Sequence, residues 1–264
     1  MNVPQTNLVE FIGKEENNLL ASMIACHTDI VIAFPKLDGI FQGPIPYLDI
    51  KAKDEHTKTI LTMYLLAHYQ LYFSTVCLLR CHLSESLAST RKAIDAALTA
   101  YRLIEEPETL DLYLDRHRSY QGIKGYIDRA RKKDDTRFPL SEPLIHFHEI
   151  CSEFGSHVDV SSLLHRLIQS EYDQKGKGLF RLNMFQTPDT DQEMRRYMVE
   201  TFLAFGSMLK VFSSFVGDLA KGLQLDEWSK AIDDFVTGCY SEGLKLDEAI
   251  AAATEAATKQ VKPT

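Results

Sequence analysis

The sequence predicts an all-α, multi-helix bundle. Three observations carry that expectation: apolar residues recur at helical spacing through most of the chain, caps and prolines punctuate them at helix-length intervals, and nothing alternates with period two for long enough to make a sheet. At 264 residues the chain can bury one large core or two modest ones, and it has no internal repeat or low-complexity linker. A single domain over residues 1–264 is therefore expected, with its core across residues 54–240 and a weakly ordered tail from residue 247.

Taken in order, Leu8, Ile12, Leu19, Met23, Ile30 and Phe34 share one helical face, a break near Gly13 is possible, and Pro35 ends the pattern. Residues 35–52 hold three of the prolines and two of the glycines (PKLDGIFQGPIPYLDIKA), so a long irregular crossover joins the first two helices, held to the bundle by Phe41 and Tyr47. Asp54 caps the second helix, and Ser84 or Ser86 opens the third, which stops before Pro107. In the second helix Ile60, Tyr64, Ala67, Leu71, Ser74, Leu78 and Cys81 form one stripe. Leu61, Leu65, Leu66, Tyr72, Phe73 and Leu79 widen the apolar arc so far that burial on most sides is expected.

Pro107 suits the first turn of a short helix through Leu110, Tyr113, Leu114 and His117, and another follows through Ile123, Ile127 and Ala130. From Ser141 to Gly155 a helix sets Leu144, Phe147, Cys151 and Phe154 opposite Glu142, His146, Glu149 and Glu153. A further segment carries Leu163, Leu164, Leu167 and Ile168, followed by a turn at QKGKG and an extended or irregular GLFRLNMFQTPD. Thr190 and Glu193 have capping-box spacing ahead of the longest apolar stripe, Met194 to Leu219. A shorter helix with Trp228, Ile232, Phe235 and Cys239 precedes a weak alanine-rich helix from Asp247.

Composition narrows the function classes. Acidic residues outnumber basic ones 37 to 29, a net charge of -8, which argues against broad non-specific binding to nucleic acid. Between Arg116 and Arg137, however, eight basic residues face three acidic ones, and Arg129, Arg131, Lys132 and Lys133 form a candidate patch for an anion or an acidic partner. The odd count of five cysteines has no secreted-framework spacing, so free thiols and a reducing, cytoplasmic compartment are expected. The opening MNVPQTNLVEFIGKEENN lacks the basic start of a signal peptide. Residues 59–79 are long enough to cross a bilayer, but Thr59, Thr62, His68, Gln70, Ser74 and Thr75 interrupt them, and no membrane association is expected.

Arg91 falls on the inward stripe of the third helix, with Asp95 one turn on. A buried charge is tolerable only when paired, so these two are expected to pair and to mark a polar site. A helical ligand pocket would fall near Tyr101, Tyr113 and His157. No phosphate-binding glycine loop and no nucleophile elbow occurs, and the Glu-x-x-His spacing of carboxylate-bridged metal sites is missing. No cofactor and no metal is expected.

The phrase LLRCHLSESLASTRKAIDAALTAYRLIEEPETLDLYL, followed at a distance by SEFGSH, resembles a group of uncharacterised bacterial all-helical proteins, some related to the HEPN superfamily. The resemblance covers residues 60–165. It implies a helical scaffold, in which Arg91 and Asp95 match the first phrase and Ser152, Glu153 and His157 the second. HEPN members include ribonucleases of stress and phage-defence systems, but the arginine with a histidine four to six residues on that marks their nucleases has no counterpart here; Arg137 and His146 come nearest. The expected role is a helical interaction or accessory protein that forms a homo-oligomer or meets a protein partner. An RNA-directed enzyme or a small-ligand binder is the alternative.

Overall fold

The helical periodicity becomes nine α-helices and one β-hairpin among the residues that the computed structural model describes, namely 8–48, 54–116, 122–155, 167–172, 178–182, 185, 187, 188 and 190–260. They are α1 (Leu8–Ala25), α2 (Phe34–Gln42), α3 (Glu55–Leu79), α4 (Leu83–Glu105), α5 (Leu110–Leu114), α6 (Ile123–Lys133), α7 (Ser141–Gly155), the hairpin β1 (Leu167–Tyr172) and β2 (Gly178–Leu182), α8 (Asp191–Leu219) and α9 (Leu225–Gln260). The fold is all-α in class. Its core lies where α3, α4 and α8 meet, with α6 and α7 laid against α4, and α9 against α8.

The first connection is not the irregular crossover that its prolines suggest. Phe34–Gln42 is helical and Ile45–Tyr47 is a 3-10 turn. Pro35 sits in the first turn of α2, where its missing N–H is tolerated, and the residues just before it, Asp29–Ala33, are π-helical. There Phe34 N–H reaches back five residues to Asp29 O. The axis turns by 82° between Leu8–Ala25 and Asp29–Tyr47, so the break falls after Ala25 and not at Gly13. α2 is then held from two sides: Tyr64 Oη donates to Phe41 O, and Trp228 Nε1 to Ile40 O at 2.9 Å. Phe41 is fully buried as expected, whereas Tyr47 stays exposed.

Asp54 caps α3 by accepting from Thr57 N at 2.8 Å. The helix ends in a Schellman turn: Cys81 N–H reaches Leu78 O and His82 N–H reaches Cys77 O, both at 2.9 Å, with Cys81 at φ 61° in the position that glycine usually takes. α4 begins directly at Leu83, without a serine cap. The stripe Ile60, Tyr64, Ala67, Leu71, Ser74 and Leu78 is buried as predicted, and so are Leu61 and Leu79 of the wider arc, but its other members, Leu65, Leu66, Tyr72 and Phe73, face outward.

Two further differences concern the last hundred residues. β1 and β2 pair antiparallel, Leu167 opposite Leu182 and Ile168 opposite Arg181, with a register shift between Gln169 and Tyr172. Strands of six and five residues interrupted by a bulge are too short to print a period-two pattern. The Trp228 helix and the alanine-rich end also form one continuous helix, α9. Thr190 caps α8 as expected, accepting from Glu193 N at 3.2 Å, and Met194, Met198, Phe202, Phe205, Leu209 and Phe212 are buried. Among the described residues no single helix is long and apolar enough to cross a membrane.

Candidate functional site

α7 presents Leu144, Ile145, His148 and Cys151 to α4, an inward stripe at helical spacing that carries one titratable ring. His148 Nε2 lies 3.2 Å from Asp95 Oδ1. A carboxylate only accepts, so Nε2 carries the proton. On the other edge of the ring, His148 Nδ1 lies 3.2 Å from Ser152 Oγ. The Ser152 hydroxyl spends its own proton on His148 O, one turn back at 2.6 Å. The line Asp95, His148, Ser152 therefore fixes an imidazole between two helices.

Of the residues singled out from sequence, Asp95 and Ser152 are thus brought together, through a histidine that sequence reading missed. The signal for it was present: His148 lies four residues after Leu144 and three before Cys151, on the buried side of α7. Arg91 is half-buried beside the same seam, where its charge opposes the burial that pushes the Cys151 thiol up to about 12. Glu153 faces outward, and His157 lies outside the described residues.

The acid expected to hold Arg91 turns to His148, while the buried arginine-acid pair of α4 lies three helical turns further on. Arg102 is 4 % exposed and donates through Nε to Glu106 Oε2 at 3.0 Å, its guanidinium stacked 3.7 Å from the centre of the Tyr126 ring. Tyr126 Oη donates to the same carboxylate at 2.8 Å, and Arg137 approaches from the loop after α6. The Glu106 carboxylate is surrounded by donors, and the cluster ties α4 to α6.

A groove of about 530 Å³ runs between α3 and α4, within the size range of small-molecule sites. Met63, Leu66 and Gln70 line one side, Lys92, Asp95 and Thr99 the other, and Tyr113 closes an end. Tyr101, expected beside Tyr113, is buried elsewhere, edge-on to Phe138 at 5.2 Å with its hydroxyl accepting from Leu140 N. The basic patch of α6 is partly neutralised. Arg131 meets Glu142 at 3.0 Å, Lys132 meets Asp128 at 2.8 Å and Lys124 meets Glu149 at 2.6 Å, while Arg129 and Lys133 are exposed. Two acids of the outer α7 face, Glu142 and Glu149, are therefore engaged with cations, and among the described residues no three of His, Cys, Asp or Glu come together as a metal site.

The outward side of α3 is the other unusual surface. Leu65, Leu66, Tyr69, Tyr72, Phe73 and Val76 are each 40–62 % exposed and follow one another at helical spacing. Tyr69 and Phe73 stack with ring centroids 6.5 Å apart. No family model, no curated protein and no solved structure matches this chain.

Proposed function

We propose that this is a helical interaction protein that acts as a self-associated assembly, with the outward aromatic side of α3 as the contact between two copies. The observation that carries the reading is six large apolar side chains set in one exposed stripe on a helix whose other side is core. Isolated exposed apolar residues are ordinary, but a contiguous band of them is characteristic of interfaces. From their exposed fractions the six offer roughly 500 Å² per copy, a large share of the roughly 800 Å² per partner in a standard interface.

The band continues toward Val31 and Ile32, both exposed, which precede Phe34; the Phe34 ring meets Tyr72 edge-on at 5.1 Å. Charge favours a second copy over a different partner. Residues 59–79 contain no Asp, Glu, Lys or Arg, so two such faces meet across a two-fold axis with no like-charge repulsion, even in a chain of net charge -8. All five cysteines are free, which suits the reducing conditions of the cytoplasm.

Light scattering after size exclusion tests the reading. The wild-type chain is expected at twice its 30.0 kDa mass at micromolar concentration, and the Tyr69→Glu/Phe73→Glu chain at the monomer mass with unchanged far-UV circular dichroism. A wild-type monomer at that concentration, or a dimer that survives both substitutions, overturns it.

A further inference from the structure

We propose that the α3–α4 groove is a binding site for a small amine, an ammonium group on an apolar body. The first ground is an unmet acceptor. Gln70 is 8 % exposed and lines the groove, and its Oε1 has no hydrogen-bond donor among the described residues. A buried amide oxygen without a donor is costly, and an occupant that supplies one removes the cost.

The second ground is the set of acceptors around it. Thr59, Thr62 and Thr99 also line the groove, and each hydroxyl donates to a carbonyl one turn back, at 2.8, 2.8 and 2.7 Å. Their oxygens are left only to accept. Asp95 adds a half-exposed carboxylate, one oxygen of which is 3.2 Å from His148 Nε2. The cation among the lining residues is Lys92, exposed at the rim. The groove thus faces its occupant with acceptors and with the apolar flanks of Met63, Leu66 and Tyr113, and the complementary molecule donates from a charged head and fills the rest with hydrocarbon. The proposal does not rest on self-association, although Leu66 borders both surfaces.

Calorimetry on the full-length chain tests it, with 3-phenylpropylamine as the probe and 3-phenylpropionate, the same apolar body with an anionic head, as the control. The amine is expected to bind saturably at one site and the acid not to bind. Gln70→Leu and Asp95→Asn are each expected to weaken amine binding by on the order of tenfold, the loss of one hydrogen bond to a charged group. In nitrogen-edited spectra, the amide signals of residues 63–70 and 92–99 should shift with the amine. No amine binding at millimolar concentration, equal binding of the acid, or amine binding untouched by both substitutions overturns the proposal. Asp95→Asn, at a half-exposed carboxylate, keeps the comparison available if Gln70→Leu fails to fold.

Discussion

At the turn after α4 one carboxylate, that of Glu106, receives Arg102, Tyr126 and Arg137. Two guanidinium groups share one acid, and one of them, Arg102, is out of water. Removing the acid takes from a buried cation the carboxylate to which its Nε donates. Glu106→Gln is therefore expected to destabilise the fold by about 3–5 kcal/mol in urea unfolding, whereas removing the charges together, as Arg102→Met with Glu106→Leu, should cost much less. Equal losses in the two variants would show that packing, and not charge, sets the value of this cluster. The residue scale is also where sequence reading succeeded least. An arginine with an acid one turn on occurs twice along α4 and its C-cap, as Arg91 with Asp95 and as Arg102 with Glu106, and spacing alone does not say which pair the neighbouring helices cover. Covering by α6 and Tyr126 settles Arg102, and His148 from α7 takes Asp95.

Among the helices, α8 and α9 approach closely at Gly206. A Cβ built there would stand 2.9 Å from Val236 Cγ2 and 3.3 Å from Phe235 Cδ1. Val236 is β-branched and stiff about χ1, so it cannot turn aside cheaply. Helix propensity by itself favours Gly206→Ala by up to about 1 kcal/mol, but overpacking costs about 1–3 kcal/mol. The variant is expected to be less stable than wild type by chemical denaturation; a gain would mean that α9 shifts freely along α8. Elements as such were largely legible. Asp54 and Thr190 mark the starts of α3 and α8 because a side-chain oxygen next to an apolar run satisfies an orphan N–H. α2 was hidden because the residues at its start read as helix breakers, and the π-helical stretch that accommodates Pro35 depends on five residues acting together.

Across the whole molecule four of the five thiols report on burial. Cys26, Cys151 and Cys239 are pushed up to about 12, in each case first by burial, and the Cys77 thiol is raised as well. A raised thiol keeps its proton at pH 8, so the nucleophilic thiolate is scarce in the folded state and returns on unfolding. Native protein treated with iodoacetamide at pH 8 should leave Cys26, Cys151 and Cys239 unlabelled by mass spectrometry, and all five cysteines should label in guanidinium. Rapid native labelling of those three would contradict the packing of the turn after α1, of α7 and of α9. The sequence by itself determined the helical class, the caps and the core stripes of α3 and α8, because those depend on residues within a turn or two of one another. Only the tertiary structure decided which side of α3 stays bare, that Asp95 meets His148, that Arg102 is the enclosed cation and that Gln70 opens onto a groove. Each of those is fixed by a neighbour brought in from a distant part of the chain, and local spacing holds no record of which helix will lie alongside.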